Sequence, residues 1–299
     1  MNGAGPVSDG LLPDGVERFA ELAYRLRLPA RGLRPGGHKG RLPGTQGLFD
    51  VHVPLTERPD PRRIDLRASL RDPFGTLLVR RDRMLAETDV HVIVDSSASM
   101  AAIGRVDRWQ VATHLAAGLA HMARRSGDRV SLTAGSDGAP LHLALNRRRS
   151  FAGEVLGALG GMTPAGHRLD GLMAGIAALP TRPGIVFLIS DFAFPPAMTD
   201  SLAGALSRHD LRPFLLADSL LDAPPPRFGL AQLRDAETGR RSTVLMRPAL
   251  AARWHRAAEA HARGHRRVFS AHGVSPVIIR DQIDVERLLE SLLVQGAAP

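Results

Sequence analysis

No cysteine occurs among the 299 residues. Disulfides, thiolate nucleophiles and cysteine-based zinc sites are therefore excluded. Long apolar runs are also missing: no window approaches the ~20 continuous apolar residues that a membrane span needs. The N-terminal stretch "MNGAGPVSDGLLPDG" has no basic region followed by an apolar core, so it does not read as a signal peptide. These absences favour a soluble protein of the cytoplasm. Aromatics make up only 4%, and Lys39 is the only lysine. Every other strongly basic residue is arginine, in a chain rich in Ala, Gly and Pro, so part of the +9 net charge is compositional. The arginines are spread along the chain instead of interleaving with aromatic residues, which weakens a nucleic-acid reading and leaves a solvated surface or a docking face for an acidic partner.

With 44% apolar residues, the chain can build one large domain or two small ones. Residues 1–88 read as an N-terminal appendage. "PDGVERFAELAYRLRL" has helical spacing. "PARGLRPGGHKGRLPGTQGLFD" is rich in Gly, Pro and Arg and reads as a loop. "VHVPLTERPDPRRIDLRASLRD" reads as a short strand, a Pro-rich turn and a second extended or helical piece.

From residue 89 onward the pattern changes. Apolar strands are expected at Val90–Asp95, Arg129–Ala134, Leu141–Leu145, Gly184–Ser190, Arg212–Ala217 and Ser275–Arg280. Helices are expected near Val106–Arg125, Phe151–Leu159, Leu169–Leu179, Thr199–Arg208, Ala249–His265 and Val285–Leu293. Strands apolar on both faces and separated by helices imply a doubly wound, mostly parallel α/β sheet. A hairpin and helix near 226–268, turning at Thr238-Gly239 after the stiff "DAPPPR" linker, interrupts this domain of residues 89–299.

The sharpest signal is "VHVIVDSSASM", Val90 to Met100, where a buried strand ends in a carboxylate followed by three serines. Open α/β sheets bind ligands at the C-terminal ends of their strands. Asp95 ends one such strand, and Asp191, in "GIVFLISDF", ends another. Two carboxylates at one edge repel unless a cation or a proton lies between them. Ser97 and Ser99 add hydroxyls, and hard oxygens of this kind suit Mg²⁺ or Mn²⁺. The plain alternative is a strand end whose serines cap the next turn.

"DSSAS" (95–99) matches the DxSxS pattern of von Willebrand factor A-like domains. With "RPDPRRIDLRAS" (58–69), "LLVRRDRMLAETDVHVIVDSSASM" (77–100), "VFLISDF" and "LRDAETGRR", the chain resembles the bacterial family called domain of unknown function 58 over roughly residues 15–295. The resemblance implies a von Willebrand factor A-like (Rossmann-like) core with an N-terminal appendage. It also implies a metal-ion-dependent adhesion-like site made by Asp95, Ser97, Ser99 and Asp191, taking Mg²⁺ or Mn²⁺ and accepting an acidic residue from a partner. Members are commonly encoded beside MoxR-type AAA+ ATPases. Some sit in gene clusters for methanol dehydrogenase maturation (the MxaS-like branch), others near stress or aerotolerance genes. Many carry N-terminal membrane spans, which this chain lacks.

The chain departs from the family pattern at two places. "PAGHRLDGL" puts His167 where the site usually has a threonine, with Thr163 four residues earlier as a substitute or, more simply, a helix cap before Pro164. Leu66 stands where a tryptophan is common.

Other chemistry is weaker. No G-x-S-x-G elbow and no Walker A or G-x-G-x-x-G segment occurs. His261 and His265 share a helix face at i, i+4 with His255 nearby, but without H-E-x-x-H an exposed polar face is expected. His209 reads as a histidine at a helix end. Arg62, Arg63, Arg67, Arg71, Arg80 and Arg81 cluster with Asp60 and Asp65, as internal salt bridges or as a partner-binding face.

The reading from sequence is a non-enzymatic adaptor for a MoxR-type AAA+ ATPase and a client protein. A metal-dependent hydrolase at the same strand edge, or nucleic-acid binding through the arginine-rich surface, is the alternative.

Overall fold

The computed structural model describes residues 19, 24, 38–44, 48–221, 228–234 and 241–294. The expected helix in residues 13–28, the 222–227 linker and the Thr238-Gly239 turn lie outside these residues, apart from Phe19 and Tyr24.

The first part of the chain forms a small antiparallel sheet of β1 (His38–Gly44), β2 (Leu48–Pro54) and β3 (Leu78–Ala86), with β3 in the middle. Strands thus replace part of the loop expected from the Gly/Pro/Arg-rich stretch. A short helix, α1 (Leu66–Arg71), sits between β2 and β3, capped by Asp65, whose carboxylate accepts from the Ala68 amide at 3.0 Å.

The remaining elements are β4 (Asp89–Asp95), α2 (Arg108–Arg125), β5 (Arg129–Gly135), β6 (Leu141–Asn146), α3 (Phe151–Gly160), α4 (Asp170–Ala177), β7 (Ile185–Ser190), α5 (Pro196–Ala205), β8 (Asp210–Ala217), the hairpin β9 (Gly229–Arg234) and β10 (Arg241–Met246), α6 (Pro248–Ala271), β11 (Val277–Arg280) and α7 (Val285–Val294). All six expected core strands form. Helix α5 begins three residues earlier than expected, with Pro196 in its first turn, where a missing N–H costs nothing. Helix α6 runs six residues past His265.

One six-stranded sheet has the order β11-β8-β7-β4-β5-β6, parallel except for β6. Counted from β4, this is the doubly wound order 3-2-1-4-5-6 with its third strand reversed. All seven residues of β4 are buried. Val90, Val92 and Val94 join the core shared with α2, α3 and α7, whereas Ile93 faces the core shared with α4, α5 and α6. Each such fully buried aliphatic side chain is worth roughly 1.5–3 kcal/mol.

The order of the chain reverses between β4 and β7. Val94 pairs with Ile189, so Asp95 and Ser190 leave the sheet side by side. That switch point is where a crevice opens in this class of sheet.

Candidate functional site

Asp95 is fully buried at the end of β4. Its Oδ1 accepts from the Ser97 amide at 2.9 Å, and its Oδ2 accepts from Ser190 Oγ at 2.7 Å. Ser190 Oγ in turn accepts from the Phe192 amide at 2.9 Å. Burial, and then the charge of Asp191, push the Asp95 carboxyl up to about 6.

Asp191 is the next station. Its Oδ1 accepts from Ser99 Oγ at 3.1 Å and from the Ala193 amide at 3.2 Å. Ser97 Oγ lies 3.2 Å from Ser99 Oγ. Since the Ser99 hydroxyl spends its one hydrogen on Asp191, Ser97 donates and Ser99 accepts. The four residues Asp95, Ser97, Ser99 and Asp191 therefore lie in one hydrogen-bonded cluster with Ser190.

A cation already stands in this cluster. Arg108, the first residue of α2, pairs through Nη1 with Asp191 Oδ2 and also donates to the Ser99 carbonyl at 3.1 Å. Arg108 is 9% exposed, and its buried Nε has no hydrogen-bond partner. Two carboxylates at one strand edge need a counter-charge or a proton. The guanidinium supplies the first at Asp191, and the raised pKa of Asp95 draws it towards the second. Neither Arg108 nor Ser190 stands out in the sequence motif. Arg108 leaves one trace: a basic residue in the first turn opposes the helix dipole, so it wants a specific anionic partner.

The third loop, residues 162–169, docks by its backbone. The Ala165 amide donates to the Ser96 carbonyl at 2.9 Å, and the Ala98 amide to the Gly166 carbonyl at 2.8 Å. Gly166 has φ +86, and a Cβ there would meet Ser136 Oγ at 2.5 Å, so the contact needs glycine. Thr163 and His167 are both exposed, and neither side chain hydrogen-bonds to Ser97, Ser99 or Asp191.

The oxygen spacing bears on which ion would fit. Adjacent ligands of an octahedral Mg²⁺ with bonds near 2.1 Å lie about 3.0 Å apart. Ser97 Oγ, Ser99 Oγ and Asp191 Oδ1 are spaced at 3.2 and 3.1 Å. These hard oxygens fit neighbouring positions around Mg²⁺ or Mn²⁺, in competition with Arg108 for the charge of Asp191. Among the described residues no three His, Cys, Asp or Glu side chains gather in a metal-holding group, so serine hydroxyls are indispensable to such a set. Among the described residues no histidine is hydrogen-bonded to Ser97 to act as the base of a Ser-His pair.

The other candidates lie elsewhere. His209 lies four residues past the end of α5 and is buried: Nδ1 accepts from the Gly184 amide at 3.2 Å, and the ring packs edge-on to His91. His255 is exposed and pairs with Glu259 at 3.2 Å. Of the arginine cluster, Arg63 pairs with Asp82 at 3.1 Å, and Arg81 pairs with Asp50 and Glu57 at 3.5 and 3.4 Å. Arg62, Arg67, Arg71 and Arg80 are exposed and have no ion-pair partner among the described residues. Arg80 stacks over the Phe49 ring at 5.2 Å. Leu66, Leu70 and Phe74 lie exposed in the same stretch.

Residues 59–264 match a family described as "Protein of unknown function DUF58". A Paracoccus denitrificans protein described as "Uncharacterized protein in moxR 3'region" is 46% identical over 104 residues, 34% of this chain and 96% of that one. An uncharacterized protein of Mycobacterium tuberculosis is 27% identical over 263 residues, 86% of this chain and 81% of that one. Among solved structures, BatB from Bacteroides thetaiotaomicron has a TM-score of 0.43 at 13% identity, covering 68% of this chain and 95% of that one. The SpRpn10 VWA domain has a TM-score of 0.39 at 14% identity, covering 72% of this chain and all of that one.

Proposed function

The chain belongs to the DUF58 family, and from that premise we propose that it is a non-enzymatic adaptor that works with a MoxR-type AAA+ ATPase on a client protein. The observation that carries the reading is the convergence of Asp95, Ser97, Ser99 and Asp191 at the switch point of the sheet, with no histidine hydrogen-bonded to either serine among the described residues. Such an edge can hold an ion or a partner's side chain, but it lacks the parts of a hydrolase. The AAA+ partner is suggested by the Paracoccus denitrificans relative, which is described by its position in the moxR 3' region.

Ser97, Ser99 and Asp191 would hold Mg²⁺ or Mn²⁺, with Asp95 fixing the serine turn and adding charge behind it. The bound ion would supply an electrophilic position for an acidic residue of the partner. Arg62 and Arg67, with Arg80 over the Phe49 ring and exposed Leu66, Leu70 and Phe74 nearby in sequence, would form a second contact face for an acidic partner.

The experiment is co-purification of the full chain with the MoxR-type ATPase from the same genome, followed by measurement of ATP turnover. Binding that changes turnover, and that is lost with Ser99→Ala or Asp191→Asn, supports the reading. Absence of any complex, or ester or phosphate hydrolysis by the isolated chain that disappears with Ser97→Ala, overturns it.

A further inference from the structure

Helix α6 carries His261 and His265 one turn apart, packed against the segment just after Asp191. Their Nε2 atoms are 3.0 Å from each other. His261 Nε2 is also 3.1 Å from the Phe192 carbonyl. His265 is buried, and its Nδ1 lies 2.7 Å from the buried Thr199 Oγ1. His261 reaches solvent.

These partners fix the hydrogen positions. A carbonyl can only accept, so the hydrogen on His261 sits on Nε2, shared between the Phe192 oxygen and His265 Nε2. His265 Nε2 is therefore an acceptor, its lone pair directed at His261, and its own hydrogen is on Nδ1, donated to Thr199. An acceptor on the far nitrogen, here the Thr199 hydroxyl, orients a metal-ligating histidine and keeps it in one tautomer. Burial, with the neighbouring His261, also lowers the His265 pKa to about 4, so the ring stays neutral. Moving the His261 hydrogen from Nε2 to Nδ1 exposes a second lone pair beside the first, with no net release of a proton.

Phe192 adds a further sign. It has φ 50, a left-handed backbone that a residue with a Cβ adopts at a cost of about 1–2 kcal/mol. Its ring is held edge-on to Phe269 at 5.2 Å and against His265 at 6.0 Å. Strain kept in place by surrounding packing is a mark of a functional position.

We propose that His261 Nε2, His265 Nε2 and the Phe192 carbonyl form a binding site for a late first-row divalent ion, Cu²⁺ or Ni²⁺, with solvent filling the open positions. Two nitrogens 3.0 Å apart, each about 2.0 Å from a metal, subtend an angle of about 95°. That is the cis angle of the tetragonal geometry preferred by Cu²⁺ and Ni²⁺, and it is tighter than the roughly 109° of tetrahedral Zn²⁺. Imidazole nitrogens also select these ions against Mg²⁺, which separates this site from the oxygen cluster at Asp95.

The full chain is titrated with Cu²⁺ against a competing chelator and followed by electron paramagnetic resonance. One tight equivalent with coupling to two nitrogens is expected. His261→Ala, at an exposed position, should weaken that equivalent more than about tenfold and remove the two-nitrogen coupling; His261→Gln serves if the alanine variant misfolds. Thr199→Val should weaken binding by about tenfold, the usual size of an orienting effect. His255→Ala, at an exposed position on the same helix, should leave the Cu²⁺ complex unchanged. An identical complex in wild type and His261→Ala, only weak binding spread over many sites, or loss on His255→Ala alone overturns the proposal.

Discussion

The Asp95 carboxyl holds its proton to a higher pH than an exposed carboxyl does, because burial and the Asp191 charge raise its pKa to about 6. In the unfolded chain it titrates near the ordinary value of 3.8. Between these two values the folded chain keeps a proton that the unfolded chain has released. Its contribution to stability is therefore fully present below 3.8 and is lost as pH rises through 6, a loss on the order of 3 kcal/mol. His91 works in the opposite direction. Burial lowers its pKa to about 4, so its contribution is present above 6.5 and is lost as pH falls towards 4. A comparison that cancels His91 isolates Asp95. In chelator-containing buffer, Asp95→Asn should gain stability relative to wild type as pH rises from 4 to 7, read as a widening gap between thermal midpoints. A gap that does not change with pH would show that the carboxyl is already satisfied as an anion.

One ion pair, Arg108 with Asp191, joins the start of α2 to the end of β7, above the apolar core that the two elements share. Removing one partner of such a buried pair costs about 3–5 kcal/mol, because the remaining charge is stranded. Arg108→Gln should therefore lower denaturation resistance by about that amount in chelator. Millimolar Mn²⁺ should restore the variant more than it stabilises wild type, since the ion and the guanidinium compete for Asp191. Equal Mn²⁺ shifts in both proteins would remove Arg108 from any account of ion binding.

The same elements mark what the sequence could disclose. The DSSAS turn is legible because the apolar run Val90–Val94 fixes where β4 must end and sets the serines directly beyond that end. Arg108 and Ser190 are not, since only the strand order brings them to Asp95 and Asp191. The third loop reaches the cluster through the Ala165 amide and the Gly166 carbonyl, and backbone contacts leave no residue type to read beyond the glycine. Strands β1 and β3 escape notice for another reason. "HKGRLPG" and "LVRRDRMLA" lack clean alternation, because that small sheet carries Arg81 and Arg83 paired with Asp50 where a core sheet carries valines.

Across the whole molecule, the early chain is fastened to the α/β core at Asp128, a buried residue between α2 and β5. Its Oδ1 accepts from the Thr88 amide at 2.7 Å, and its Oδ2 from the Tyr24 hydroxyl, with His38 Nε2 at 2.8 Å. Tyr24 packs edge-on to Phe187, and Phe19 lies where a side chain on Gly118 would stand. Burial, then the Asp128 charge, raises the Tyr24 pKa well above its usual value. Asp128→Ala should cost about 3 kcal/mol by leaving buried donors without an acceptor. It should also bring the tyrosine ionisation down towards its ordinary range. The chain has one tyrosine, so ultraviolet titration reads Tyr24 alone; an unchanged titration would mean that Asp128 does not hold it.

Arg108 also sets a fixed background. A guanidinium keeps its proton throughout the range in which proteins are folded, so the positive half of this pair is constant wherever the chain is folded. It holds Asp191 by Oδ2 and leaves Oδ1 to Ser99 and the Ala193 amide. An ion arriving at Oδ1 would meet a carboxylate already partnered from its other side, and would bind it more weakly than a bare aspartate.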